Sequence, residues 1–395
     1  MSIPDSARAK HRQWLFEVTQ LPTAAGREQR VEAFIERWAS DRSGVLVTRD
    51  PAANITLMMD EEPAGRPVYF TAHLDHPAFV VERFVHEHLA ELSFRGGVMD
   101  DYFTSYGGAK VRFFDNADRQ TTGTIVAKTG KGIGWDLWSC ELDTPLPSLM
   151  PGDIARWDLP RAEEIDGCIY TDACDDLSTV AAALGAFEEL LQLHARRELT
   201  QPVRLLFTRA EEVGFVGAIA AVRHRTIPMD ARVIALENSR SFADSPIGGG
   251  PIVRVGDRLS VFSPGLSTAI AVRAEHLGGP ATPKAAEKHS NVVWKWQRKL
   301  MSGGACEASV FYDAGYDATC VCLALGNYHN MGDLAAVQAG TNTSPPRPAR
   351  EFVSIADFHG LVDLLVACGK DLPSASPVTP LVDRLWIERA TVLDR

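Results

Sequence analysis

Residues 203–218 read VRLLFTRAEEVGFVGA, which joins an apolar strand-like run to two adjacent acids and the start of a helix. The run at 203–208 is typical of a strand buried on both faces, and the apolar spacing at 213–223 predicts a helix. Glu211 and Glu212 therefore lie where the strand ends. Because ligands bind at the carboxyl ends of strands in open α/β sheets, this stretch indicates an α/β fold with functional groups at one sheet edge.

The same arrangement recurs along the chain. Four further positions carry an acid or an imidazole where an apolar run ends: His73 with Asp75, Asp175 with Asp176, Glu237, and His329. Taken singly, a histidine after a strand is most often capped or solvated, and paired acids before a helix commonly interact with its N-terminus. Together, the acids would raise one another's pKa unless a cation lay between them. The conjunction favours a divalent metal centre, and histidine with carboxylate ligands suits zinc, cobalt or manganese.

Short strand-like runs separated by glycine turns begin at residue 77, in contrast to the helix and strand alternation on either side. This spacing predicts a small antiparallel barrel or sandwich. The flanking segments predict helices at 7–20, 27–38, 177–195 and 352–368, and a loop at 339–350. We therefore predict an α/β domain formed by residues 1–76 and 163–395, interrupted by an all-β domain at 77–162.

The composition is that of a folded acidic protein. The chain has 395 residues, with 40 Lys and Arg against 51 Asp and Glu, so its formal net charge is −11. This balance argues against a nucleic-acid-binding or membrane-surface protein, since both need clustered positive charge. No apolar run reaches the ~20 residues of a membrane-spanning helix, and the polar start carries no secretory signal. Seven scattered cysteines without a CxxC pair indicate neither a disulfide framework nor a zinc knuckle, so a cytoplasmic location is expected.

Seven motifs, spread in order over nearly the whole chain, make the sequence resemble the TET-type family of glutamyl and deblocking aminopeptidases, which are co-catalytic zinc exopeptidases. They are TAHLD (71–75), PGD (151–153), DDL (175–177), EEVGFVGA (211–218), GGGP (248–251), GACEA (304–308) and NYH (327–329). EEVGxxGA is a fairly specific signature, whereas PGD or GGGP alone would be weak. The resemblance implies a mixed central sheet with helices on both faces and a barrel-like inserted domain that mediates self-association into dimer-based oligomers, up to hollow dodecamers.

The resemblance also implies two divalent metal ions, zinc with cobalt or manganese as alternatives. The implied ligands are His73 for one ion, His329 for the other, Asp175 between both, and Glu212 and Glu237 with one ion each. Glu211 would be the general base, and Asp75 would hold the tautomer of His73, as metal-bound histidines commonly require. The family has a cis peptide after the bridging aspartate, so the Asp175–Asp176 bond is expected to share it.

Several positions depart from the family pattern. Glu237 stands where the family usually has aspartate, and His76 begins a His-Pro-Ala run in place of Glu-Val-Gly. His76 is a rival ligand in principle, but we expect a structural role for it. Cys306 and Glu307 replace a Thr-Asp pair, and Cys174 lies beside Asp175. The roles of these residues stay open.

The implied activity is hydrolysis of N-terminal residues from peptides by a water that two metal ions activate. A related di-metal carboxypeptidase, dipeptidase or N-acyl amino acid deacylase is an alternative, because those enzymes use much the same ligands. A non-catalytic peptide-binding or scaffold protein is an alternative of another class. Arg209, Arg240 and Lys284 could bind an acidic substrate side chain, although lone basic residues near loops are usually solvated. The sequence does not indicate which N-terminal residue is preferred.

Overall fold

A computed structural model describes residues 3–281, 294–374 and 379–393 of the chain. Its strands are β1 Val45–Arg49, β2 Ile55–Met59, β3 Val68–His73, β4 Ala78–His86, β5 Leu89–Arg95, β6 Lys110–Phe114, β7 Gln120–Lys131, β8 Asp136–Leu142, β9 Ile154–Trp157, β10 Glu163–Ile165, β11 Cys168–Thr171, β12 Val203–Thr208, β13 Arg232–Arg240, β14 Ile252–Asp257, β15 Gln297–Met301, β16 Asp317–Leu325 and β17 Glu351–Ser354. Its helices are α1 Asp5–Val18, α2 Gln29–Ser40, α3 Asp101–Thr104, α4 Leu177–Ala195, α5 Val216–His224, α6 Pro264–Gly278, α7 Ala308–Asp313, α8 Leu334–Ala339, α9 Ile355–Lys370 and α10 Thr379–Arg389.

In the described part of the chain, an eight-stranded mixed sheet runs in the order β1-β2-β12-β3-β13-β16-β14-β15. The neighbours β12, β3, β13 and β16 are parallel, so their carboxyl ends meet at one edge of the sheet. β3 is buried along its whole length, as a strand covered on both faces must be. The register sets Thr208 beside His73, and the residues that follow these strands therefore come together.

Helices cover both faces of this sheet. One face packs against α4, α6 and α9, whose side chains include Phe187, Ile270 and Leu361. The other face packs against α5 and α7 through residues such as Ala218 and Phe311. None of the described helices is both long and apolar enough to cross a bilayer. The arrangement confirms the predicted fold class.

Six strands between residues 78 and 157 close into an antiparallel barrel, in the order β4-β5-β8-β7-β6-β9. Aromatic rings fill its interior: Phe103 stacks on Trp138 with centroids 4.0 Å apart, and Phe79 meets the edge of Trp157. Such packing gives the barrel a core of its own. The barrel lies within residues 77–162, and the division of the chain into domains stays a prediction.

Two helices begin three residues later than the periodicity predicts. α5 begins at Val216, not at 213, because Gly214 and Phe215 have φ values of 114° and 59°, outside the helical region. α9 begins at Ile355, not at 352, because the preceding residues form β17 and pair with β11. Ser354 caps α9 by accepting the N–H of Asp357.

Candidate metal centre

The seven predicted site residues meet at the carboxyl edge of the parallel strands. Their side chains are at most 8% exposed, so water cannot screen their charges. Each is delivered by the end of a strand or by the connection after it: His73 and Asp75 by β3, Asp175 by the turn before α4, Glu211 and Glu212 by the turn after β12, Glu237 by β13, and His329 by the 3₁₀ turn after β16.

The carboxylate of Asp175 lies between the two imidazoles. Its Oδ1 is 3.4 Å from His73 Nε2, and its Oδ2 is 3.5 Å from His329 Nε2. Glu212 Oε1 is 3.4 Å from His329 Nε2, and Glu237 Oε1 is 3.9 Å from His73 Nε2. These separations are too long for good N–H···O hydrogen bonds. They fit two ligands of one tetrahedral ion, because bonds of about 2.1 Å put the ligand atoms about 3.4 Å apart.

The potential ligands form overlapping groups of three. Their ligand atoms lie within 4.8 Å of one another in three sets: His73–Asp175–Glu237, Asp175–Glu212–His329 and His73–Glu211–Glu212. The first two sets share Asp175 and contain the five ligands that the resemblance implied. Asp175 Oδ1 and Glu212 Oε1 are buried without a hydrogen-bond partner, which is costly unless another group neutralises them. The donor set and these unpartnered oxygens fit divalent cations.

Burial changes the ionisation of the cluster. It raises the pKa of Glu211 and of Glu212 well above the usual range, and neighbouring carboxylates add to the rise. It also raises the pKa of Glu237 to about 7. Burial opposes a charge on His73, yet the surrounding carboxylates outweigh it and raise the pKa of the imidazole. A bound cation would favour ionised carboxylates and neutral imidazoles, so metal binding would release protons.

The family model of the M42 glutamyl aminopeptidases matches residues 148–339. Over this range, which is just under half of its length, the chain resembles the M42 glutamyl aminopeptidases. The match supports a peptidase, as the resemblance implied. The matched range contains the proposed ligands after the barrel, including Asp175 and His329, while His73 precedes it.

Solved structures share the fold of this chain. The TET1 peptidase of Pyrococcus horikoshii is 21% identical with a TM-score of 0.69, covering 92% of this chain and 100% of that one. The TET aminopeptidase of Thaumarchaeota archaeon SCGC AB-539-E09 is 16% identical with a TM-score of 0.71, covering 92% and 97%. An aminopeptidase from Desulfurococcus kamchatkensis is 18% identical with a TM-score of 0.68, covering 92% and 95%. No curated protein matches the chain.

Asp75 holds the backbone of the two adjacent glutamates, Glu211 and Glu212, as well as the histidine. Its two carboxylate oxygens accept the N–H groups of Glu211 and Glu212 at 2.9 and 3.1 Å. His73 Nδ1 lies 3.5 Å from the same carboxylate and 3.1 Å from the backbone oxygen of Asp75. Asp75 therefore links the end of β3 to the turn that carries the two adjacent glutamates.

Asp176 faces the backbone and not the ligand cluster. Its Oδ2 accepts the N–H of His73 at 3.2 Å, and its Oδ1 accepts the hydroxyl of Thr179. The peptide bond between Asp175 and Asp176 is cis, as the resemblance implied. The two adjacent aspartates thus differ in direction, and Asp175 is the one aimed at the imidazoles.

Glu351 is a site residue that sequence reasoning missed. It is fully buried, and its Oε2 accepts the N–H groups of Cys174 and Asp175 at 2.8 and 3.0 Å. Its Oε1 accepts the N–H of His329 at 2.7 Å. One carboxylate therefore joins the two turns that carry the central aspartate and the second histidine.

The unusual residues near the centre take supporting positions. His76 Nδ1 lies 2.5 Å from the backbone oxygen of Asp175, and its Nε2 lies 2.9 Å from Asn330 Oδ1. Cys174 is buried, and burial raises the pKa of its thiol. Burial raises the pKa of Glu307 to about 7. None of these three side chains belongs to a ligand group among the described residues.

A cavity of about 410 Å³ opens beside the cluster. Its outer walls combine the apolar side chains of Phe242, Met301 and Leu334 with polar residues, and Arg240 donates to Gln338 Oε1 at 2.6 Å. Arg209, another basic residue considered for the substrate, is instead paired with Glu28 and Glu32. Lys284 lies outside the described residues. The cavity has room for the side chain of a bound peptide residue.

Proposed function

We propose that this chain is an aminopeptidase that holds two divalent metal ions and removes N-terminal residues from peptides. The observation that carries the proposal is the position of Asp175, with one carboxylate oxygen toward each of two histidines at 3.4 and 3.5 Å. A carboxylate shared in this way would suit two divalent ions held side by side. His73 with Glu237 would complete one ion site, and His329 with Glu212 the other.

When bound, such ions supply Lewis acidity and lower the pKa of a water toward neutrality. Glu211 is the proposed general base. It is buried beside the ligand groups, and its backbone N–H is fixed by Asp75. Its carboxylate takes a proton from the attacking water and delivers it to the leaving amine.

The cavity beside the ligands would receive the side chain of the first substrate residue. Its walls exclude water from the scissile bond, which strengthens the electrostatic interactions there. The buried carboxylates also provide a negative environment for the free α-amino group. An enzyme that binds the free α-amino group cleaves from the N-terminus, whereas a deacylase or carboxypeptidase would not need to bind that group.

We also propose that the chain self-associates through the barrel. The TET1 peptidase of Pyrococcus horikoshii can assemble into a tetrahedron or a large octahedral shell, and this chain covers that protein along its full length. The cytoplasmic location stays a prediction from the composition. Light scattering of the purified chain should give a mass of at least a dimer, and a monomer at working concentration would contradict this assignment.

Activity assays test the proposed function directly. The metal-loaded protein should hydrolyse aminoacyl p-nitroanilides and leave N-acyl amino acids intact. Elemental analysis of the same preparation should give close to two divalent ions per chain. Hydrolysis of the N-acyl substrates alone would assign the chain to the deacylase alternative.

A further inference from the structure

A second and larger cleft lies between α2 and the outer wall of the barrel, with a volume of about 920 Å³. Its lining comes from the α1–α2 connection, from α2, from β6 with its turn to β7, and from β9 with the segment after it. No proposed metal ligand lines it. Five arginines do: Arg30, Arg37, Arg112, Arg156 and Arg161.

The positive charge of this cleft is only partly neutralised. The acidic residues of the lining are Asp118 and Asp172. Three of the arginines are in ion pairs: Arg30 with Asp118, Arg112 with Asp158, and Arg156 with Asp172. Among the described residues, the guanidinium groups of Arg37 and Arg161 have no hydrogen-bond or ion-pair partner. A chain of net charge −11 therefore presents a cleft with an excess of two positive charges.

Arg156 forms the inner wall of the cleft, and its contacts hold its guanidinium group in place. Arg156 is 20% exposed at its side chain and donates Nη1 to the backbone oxygen of Gln20 at 2.6 Å. Its guanidinium lies 5.0 Å from the centroid of the Phe114 ring. An arginine held in this way loses little further freedom when it binds a ligand. The exposed Arg37 and Arg161 lie in the same cleft and add mobile donors.

We propose that this cleft binds a small anion that carries several phosphate or sulfate groups. Guanidinium groups present paired N–H donors that match such oxyanions. A tetrahedral oxyanion also offers enough acceptor atoms to engage more than one arginine. The volume exceeds the need of a single phosphate and lies in the range of sites for larger small molecules. The site is independent of the proposed peptidase chemistry.

Isothermal titration calorimetry tests the site with the full-length, metal-loaded protein at fixed ionic strength. Inositol hexasulfate is the first probe, because sulfate esters coordinate zinc weakly, and tripolyphosphate is the second. The double variant Arg37→Glu/Arg161→Glu removes the unpaired charges and should weaken binding of both probes by roughly tenfold or more. The control Lys131→Glu/Arg223→Glu makes the same change in net charge at exposed positions outside the cleft, and should bind within about threefold of the wild type.

Either of two results would overturn the site. The wild-type protein could release no heat with either probe, or the control variant could lose as much affinity as the cleft variant. If the wild type binds neither probe, a changed mass of the assembly in the cleft variant would make the cleft a contact between copies of the chain. Melting curves of both variants, together with unchanged aminopeptidase activity, show that the substitutions leave the fold and the metal centre intact.

Discussion

The carboxylates of the metal centre differ in task because their oxygens face different partners. Those of Asp175 face two imidazole nitrogens, whereas those of Asp75 and Glu351 accept backbone N–H groups. The carboxylates of Asp75 and Glu351 therefore fix the path of the chain, whereas the carboxylate of Asp175 is left free for a cation. Because the backbone bonds do not depend on metal, the ligands are held near their binding positions before an ion arrives.

The adjacent residues Glu211 and Glu212 should respond differently to the same change. Glu211→Gln removes the proposed base but no proposed ligand, so we expect both ions to remain and kcat to fall by about 10²–10⁴-fold. Glu212→Gln is the matched control, since it should lower the metal content to about one ion. Elemental analysis and steady-state kinetics on both variants give the answer. Full activity of a metal-replete Glu211→Gln protein would remove Glu211 from the mechanism.

Glu351 should act on metal affinity without touching a metal. In Glu351→Gln an amide NH₂ replaces one acceptor oxygen and faces a backbone N–H, so at least one turn loses its anchor. We expect zinc affinity to fall by about 10–100-fold, with kcat at saturating zinc largely preserved. Competition with a chelating dye measures the affinity.

The control for this variant is Glu163→Gln, which changes an exposed acid whose ion pair with Arg350 lies at the surface. Its zinc affinity should equal that of the wild type. Equal affinities for all three proteins would show that Glu351 does not position the ligands.

The convergence of the proposed ligands could be predicted from the sequence because each follows an apolar run, and a strand end is visible in a few residues. Glu351 could not be predicted in this way. It is separated from His329 by 22 residues, and the pattern around it favours the helix that begins only at Ile355. Its function depends on backbone groups that a folded turn brings to it. Similarly, nothing local distinguishes the direction of Asp175 from that of Asp176.

At the scale of elements, the segment 330–349 follows the turn after β16, carries α8 and leads to β17, which pairs with β11 in a separate three-stranded sheet. Met331 and Pro348 form a bridge that closes its base. Tyr102 of the barrel donates its hydroxyl to the backbone oxygen of Gly332 at 2.7 Å and packs with Met331 and Leu334. The predicted loop at 339–350 therefore belongs to a segment whose Met331, Leu334 and Gln338 line the cavity beside the proposed ligands. Its contact with Tyr102 spans 230 residues, which local patterns do not reveal.

Tyr102→Phe should loosen this segment while keeping the aromatic ring. The lost hydrogen bond is worth about 1 kcal/mol, so we expect KM to rise by about three- to tenfold with little change in kcat, as for a loss of uniform binding. Tyr106→Phe is the control, since Tyr106 is 66% exposed in the same part of the barrel. Identical KM values for the two variants and the wild type would show that the segment does not depend on Tyr102.

At the scale of the whole molecule, the metal centre should link stability to pH once the ions are removed. Burial raises the pKa of Glu237 and of Glu307 to about 7 in the folded chain, from a usual value of 4.5. The folded state then binds protons more tightly than the unfolded chain, so this stability is complete below pH 4.5 and is lost as the pH rises through 7. The contribution of His76 to stability depends on pH in the opposite direction, because burial lowers its pKa to about 4. This contribution stops changing above about pH 6.5, the usual pKa of histidine.

We therefore expect the Tm of the chelated protein to fall by several degrees between about pH 5.5 and 7.5. The zinc-loaded protein is the control, because bound cations replace the protons among the carboxylates and stabilise the folded state by mass action. Its Tm should stay nearly constant over the same range, and adding zinc back to the chelated protein should restore it. Melting curves with and without chelator measure both. If chelation changed neither the Tm nor its dependence on pH, the buried carboxylates would be compensated by some other charge, and no pair of ions would belong between the two histidines.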